Sequence, residues 1–134
     1  MKKITKTLIL SMILISAIAA IFSTPTYAKS KDYTISGYAG GMAFKQKKLK
    51  VAYNGNVIKV SGYGKKTGPS IKNARTRKLT PKSYKVDSSC KVGSGGYVQS
   101  YKHFLKEEGR KGRIYYFVDL KIKNNKVVYI DYGL

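Results

Sequence analysis

From about residue 32 onward, apolar and polar residues alternate with a period of two through most of the chain, which predicts strands. Leu49, Val51 and Tyr53 alternate with Lys50 and Ala52; after Asn54-Gly55 comes a second run, Val57-Ile58-Lys59-Val60. Asn-Gly accepts the positive φ angles of a two-residue turn, so the two runs predict a hairpin with Val51 opposite Ile58 and Leu49 opposite Val60. That register also sets Lys50 directly opposite Lys59, a destabilising pair that leaves its face open to water or to an anion. A second hairpin runs from Ile114 to Ile122, turns at Asn124-Asn125 and returns from Val127 to Tyr132. Tyr116, Val118, Leu120 and Ile122 share one of its faces, with Val127 expected opposite Ile122 and Tyr129 opposite Leu120. Val128 and Ile130 point the other way, which marks the last strand as interior.

Between the hairpins the pattern changes. Ser83 to Val86 and Cys90 to Val92 read as one broken strand; after Gly93-Ser94-Gly95-Gly96 the spacing of Tyr97, Tyr101, Phe104, Leu105 and Glu108 becomes helical, with Gly109 as C-cap. This predicts a three-turn amphipathic helix. Upstream, Tyr33 to Ser36 begins a strand that Gly37, Gly40 and Gly41 bend before it continues from Met42 to Tyr53. The stretch from Ser61 to Lys78 reads as a glycine turn entering a basic loop. It does not fit a phosphate-binding loop, because after four intervening residues Gly62 and Gly64 are followed by Thr67 and Pro69 instead of glycine. The resulting order is a mainly β fold: a small five-stranded antiparallel barrel, OB-like or SH3-like, with one short helix between the third and fourth strands. A helix lying across an open antiparallel sheet fits the same order.

The start of the chain has a different pattern. Lys2, Lys3 and Lys6 precede an apolar stretch from Leu8 to Phe22, and Thr26-Tyr27-Ala28 ends in small residues at the positions a signal peptidase reads. The stretch is short of the roughly 20 residues of a membrane-spanning helix. Residues 1–28 are therefore expected to be a signal peptide cleaved near Ala28, and residues 29–134 a single exported domain, secreted or associated with the cell wall. Cys90 is the only cysteine, so no disulfide within the chain can hold it and its core must.

Charge changes the functional picture most. The full chain carries 27 Lys+Arg and 6 Asp+Glu; without the three lysines ahead of the apolar stretch, 24 basic residues face 6 acidic ones. No acidic residue lies between Asp32 and Asp87, a stretch holding thirteen lysines and arginines. A surface so charged repels itself unless counter-ions gather around it, which points to a polyanionic partner. Lys48, Lys50, Lys59, Lys65, Lys66, Arg75, Arg77 and Lys78 are the candidate polyanion-binding residues, with Tyr53 and Tyr63 as candidate stacking platforms.

Catalytic chemistry is thinly supplied. His103 is the only histidine, and Cys90 with His103 is the minimal thiol nucleophile and base. The six carboxylates have no metal-ligand spacing, although Asp119 and Asp131 approach each other across the last hairpin. No cofactor or metal is expected. The lysine and tyrosine content, the basic leader with its long apolar stretch, and the ending "VDLKIKNNKVVYIDYG" resemble small exported proteins of Gram-positive bacteria. That resemblance implies an exported location and assigns no residue a role. The expected function is non-enzymatic binding of an anionic envelope polymer such as teichoic acid. The alternatives are OB-type binding of single-stranded nucleic acid or oligosaccharide, and a Cys/His hydrolase or transferase.

Overall fold

Among the described residues, eight strands and one helix follow in the order β1 (Tyr33–Tyr38), β2 (Leu49–Asn54), β3 (Val57–Thr67), β4 (Thr76–Ser94), β5 (Tyr97–Ser100), α1 (Tyr101–Glu108), β6 (Lys111–Ile114), β7 (Phe117–Lys123) and β8 (Lys126–Gly133). The computed structural model describes residues 32–40 and 47–133. The expected signal peptide and the Met42 end of the expected bent strand lie outside the described residues.

Five strands close into a barrel: β1 pairs with β3, β3 with β4, β4 with β8, β8 with β7, and β7 with β1. Closure removes the exposed sheet edges that these five strands would otherwise present. The ring is not wholly antiparallel as expected, because β4 and β8 run parallel. β2 and β6 extend outward from the first half of β3, and β5 folds back on the end of β4. The long bent strand expected from Tyr33 to Tyr53 is two strands, each paired with a different half of β3.

Inward-facing positions form one continuous core. Ile35, Val51, Ile58, Val60, Val118, Leu120, Val127 and Ile130 are each at most 2% exposed. Burying an aliphatic side chain of this kind contributes about 1.5–3 kcal/mol, and these residues supply the cohesion. The helix lies against this core through Tyr101, Phe104 and Leu105. Ser100 caps it by accepting from the His103 amide at 3.1 Å, and the Gly109 amide donates back to the Leu105 carbonyl at 2.9 Å. Tyr97 to Ser100, expected as the first helical turn, pairs with β4 instead: the glycine turn at Gly95-Gly96, both with positive φ, returns the chain as a hairpin. The helix is therefore two turns long, and Tyr97 is 59% exposed.

Both expected hairpins form, each with a different register from the one local rules give. The first turns at Gly55-Asn56, where Gly55 alone takes a positive φ, of 57°. Val51 therefore faces Val60, Lys50 faces Ser61 and Lys59 faces Ala52, which corrects the expected Lys50 to Lys59 pairing. The Gly55 amide donates to Arg110 and its carbonyl accepts from the Tyr101 hydroxyl, so contacts distant in sequence hold the turn one residue along. The second hairpin turns at Asn124-Asn125 as expected, with φ of 52° and 60°, and Ile122 faces Val127. A bulge then moves Leu120 opposite Ile130 instead of Tyr129, which brings Ile130 back to the core side. The strand expected from Ile114 to Ile122 is broken at Tyr115-Tyr116 into β6 and β7, which serve different neighbours.

The stretch expected as a glycine turn, Ser61 to Thr67, is the second half of β3. A Cβ at Gly62, where φ is 83°, would collide with the Lys48 carbonyl oxygen, so this glycine lets β3 pass closely under β2. Opposite it, Thr80 and Pro81 of β4 bulge past Ser61, placing the proline where no ladder hydrogen bond is required of it.

Candidate functional site

Outward-facing positions on β6, β2, β3 and β4 alternate with the core residues, and the pairing registers place them in rows. One row runs Arg113, Ala52, Lys59, Ser83. The next runs Lys111, Asn54, Val57 and Lys85, and continues through Lys126 on β8 to Lys123 on β7. On the other side Lys50 faces Ser61, and beyond it the Tyr63 amide donates to the Lys48 carbonyl while Tyr63 faces Lys78 across β4. The result is a basic face on which no register position holds a carboxylate. The Lys111 row spans about 14 Å across β6, β2, β3 and β4 at ~4.8 Å per strand spacing, and β8 and β7 carry it on around the closed barrel. Every lysine and arginine in these rows is exposed.

The sequence-derived residues divide around the Gly62 bend. Lys48, Lys50, Lys59 and Lys78 lie on this face, as does Tyr63, whose ring has the Lys47 ammonium 5.0 Å from its centroid. Lys65 and Lys66 lie past the bend, where β3 pairs with β1: Lys65 faces Ser36, and the Lys66 ammonium sits 5.1 Å from the Tyr33 ring centroid. Arg77 faces Gly64 near the start of β4, and Arg75 lies in the exposed segment before that strand. Tyr53 is corrected from stacking platform to core residue. It is 5% exposed, packs edge-on against Phe104 at 5.2 Å between centroids, and its hydroxyl donates to the Glu108 carbonyl at 3.5 Å.

Sequence reading did not single out Lys85, Lys111, Arg113, Lys123 or Lys126 as members of the face. Period-two counting places Lys85 outward. The pairing of β2 with β6 joins segments about sixty residues apart and has no local signature.

Carboxylates gather elsewhere. Asp119 and Asp131 stand directly opposite each other on β7 and β8, beside a cavity of about 750 Å³ lined also by Tyr38, Phe117, Tyr132 and the Gly95-Gly96 turn. This is the largest cavity described, and its charge opposes a polyanion, so size alone does not mark the functional surface. Asp87 lies nearer the basic face. Hydrogen bonds from the Ser89 hydroxyl and amide hold its carboxyl below the usual range, with a further contribution from Lys126.

Cys90 is 1% exposed, and its thiol donates to the Lys91 carbonyl at 3.6 Å. Burial, with the Asp87 charge second, pushes the thiol up to about 12, away from the thiolate a nucleophile requires. His103 lies on the exposed side of α1, where its Nε2 is 2.9 Å from Glu107. Among the described residues, no group of three or more His, Cys, Asp or Glu side chains gathers as a metal site would require. Comparison with protein-family models, curated proteins and solved structures finds no match to this chain.

Proposed function

We propose that this chain is an exported, non-enzymatic domain that binds an anionic polymer of the cell envelope, of teichoic acid type, on the outer face of β6, β2, β3 and β4. The observation that carries the reading is the register itself. Independent pairings align Arg113 with Lys59, and Lys111 with Lys85, Lys126 and Lys123, on a face whose register positions hold no carboxylate. Like charges brought together across strands cost stability, and a polyanion relieves that cost by replacing the counter-ions. A linear polymer that follows the row around the barrel meets more of these cations than a compact ligand does. Export rests on the basic leader, its apolar stretch and Ala28.

The finer fold reading, an OB-like barrel, belongs with this proposal. Its support is the parallel joint between β4 and β8, with α1 lying in sequence between barrel strands β4 and β7. OB-folds take linear ligands on the face of their second and third strands, between two hairpin loops. By barrel order those strands are β3 and β4 here, and the loops are Gly55-Asn56 and Asn124-Asn125.

The test is salt dependence combined with paired charge reversal. Affinity for purified teichoic acid should fall steeply with ionic strength, because each neutralised phosphate releases counter-ions. Reversing Lys59 and Arg113 to Glu should flatten that slope more than reversing Lys102 and Lys106 on the exposed side of α1. Equal effects of the two pairs would reduce the face to a share of total charge, and salt-indifferent binding would end the proposal.

A further inference from the structure

One border of the basic face is aromatic. The β6–β7 connection exposes three consecutive rings, Tyr115 at 52%, Tyr116 at 39% and Phe117 at 48%. Tyr116 holds a left-handed φ of 69°, a conformation that a bulky residue keeps only when its surroundings impose it. Here they do: the Tyr116 amide donates to the Gly40 carbonyl at 2.6 Å, and its own carbonyl accepts from the Ala39 amide at 2.7 Å. The backbone of the aromatic run is therefore held at Tyr116 by two bonds to the Ala39-Gly40 segment.

Tyr115 lines a cleft of about 210 Å³ together with Lys48, Lys50 and Arg113, next to Ala39 and Gly40. The volume falls below the 300–1,000 Å³ typical of a whole small-molecule site, and suits a single ring. Three cations and one aromatic ring meet in this one concavity. Simple polyphosphates have nothing to place against the ring, whereas a polymer with a planar ring on each repeat uses the ring and the cations together. A membrane surface would call for a projecting apolar tip, not a slot.

We infer that this cleft is a ring subsite of the basic face, where Tyr115 stacks on a base of single-stranded nucleic acid while Lys48, Lys50 and Arg113 hold flanking phosphates. The inference rests on the proposed polyanion-binding face and departs from it in the ligand: a teichoic acid chain offers Tyr115 no planar ring, so the ring-bearing polymer is separated from it by the experiment below. It moves the stacking role from Tyr53, which is buried, to Tyr115, which the β2–β6 pairing brings beside Lys48 and Lys50. Stacking of this kind tolerates any base, because every base has a π-face, so little sequence preference is expected.

The experiment compares oligothymidine, an abasic oligodeoxynucleotide of equal length, inorganic polyphosphate and phosphatidylglycerol vesicles. The expected result is oligothymidine binding at least about fivefold more tightly than the abasic chain, with quenched tyrosine fluorescence. Tyr115→Ala should bring that ratio to one and leave abasic affinity unchanged. Tyr115→Phe should keep the ratio, and so should Tyr97→Ala, which removes an exposed tyrosine from β5. Equal binding of both oligomers by the unaltered protein, a ratio that survives Tyr115→Ala, or Tyr115-dependent vesicle binding without base preference would each overturn the inference. In the first two cases, salt-dependent binding of polyphosphate would leave the polyanion-binding face standing. Loss of salt dependence throughout would remove that face as well.

Discussion

The basic face and the Asp119/Asp131 groove lie on one barrel and are built by one device with opposite sign. Strand register sets Lys85, Lys126 and Lys123 side by side in the first, and Asp119 opposite Asp131 in the second. Each arrangement costs stability, and no carboxylate occupies a facing register position in the lysine row; Asp87, whose carboxyl Lys126 helps to lower, is the opposite charge nearest to it. A protein held together by its surface charges would interleave the signs. This one largely segregates them, and cohesion comes from the apolar interior, as the buried core residues show. The basic face is the larger region and suits a polymer. The groove is compact, and its carboxylates exclude such a ligand.

The sharpest test of that division is pH, because the core carries its own titrating group. The neutral thiol of Cys90 is favoured in the folded state, its value raised from 9.0 to about 12. The sign follows: its contribution is fully present below the unfolded value and is lost as pH climbs from there toward 12, at about 1.4 kcal/mol per pH unit. Urea unfolding from pH 8 to pH 11 should show the unaltered protein losing stability faster than Cys90→Ala, by up to roughly that slope. Parallel curves would mean that the thiol is not in the core. In the folded protein Cys90 should also resist iodoacetamide until denaturant is added.

A smaller effect separates stability from binding on the basic face. Lys123→Glu replaces a like-charge neighbour of Lys126 with an opposite one, and should raise stability by about 0.2–1 kcal/mol. The same change should weaken polyanion binding. A variant that loses both properties would show that the face does hold the fold together. The smallest effect is expected in the groove, where Asp119→Asn removes one of two facing carboxylates. Thermal unfolding should rise slightly, by a few tenths of a kcal/mol, with polyanion affinity unchanged. A clear change in affinity would connect the two regions and dissolve the contrast.

Much of the barrel could be read locally, because alternation and turn chemistry act over a few residues. Asn124-Asn125 was legible as a turn, Gly109 as a helix end, and Tyr101, Phe104 and Leu105 as the buried stripe of a helix. The misplaced details share one physical origin, which is that a distant segment outweighed a local preference. Arg110 and Tyr101 hold Gly55 in place and move the first turn by one residue; pairing with β4 takes Tyr97 to Ser100 out of the helix; and Ala39 and Gly40 hold Tyr116 in the break between β6 and β7. For the site, Lys48, Lys50, Lys59 and Lys78 were legible as basic strand positions. Arg113, Lys111 and Tyr115 were not, since their place beside β2 depends on a strand pairing that spans about sixty residues.

The sequence by itself determined that this chain is mainly β, that most of its aliphatic strand residues alternate inward, and that a large excess of positive charge must cover the outside. Those properties follow from side-chain periodicity and from counting, and neither requires knowing which strand is neighbour to which. Only the tertiary structure decided which cations share a face, that Asp119 and Asp131 stand apart from it, and that Tyr115 borders it while Tyr53 is buried. The physical reason lies in strand pairing: an exposed lysine has the same period wherever its strand docks, and its neighbours are chosen by the long-range contacts that close the barrel.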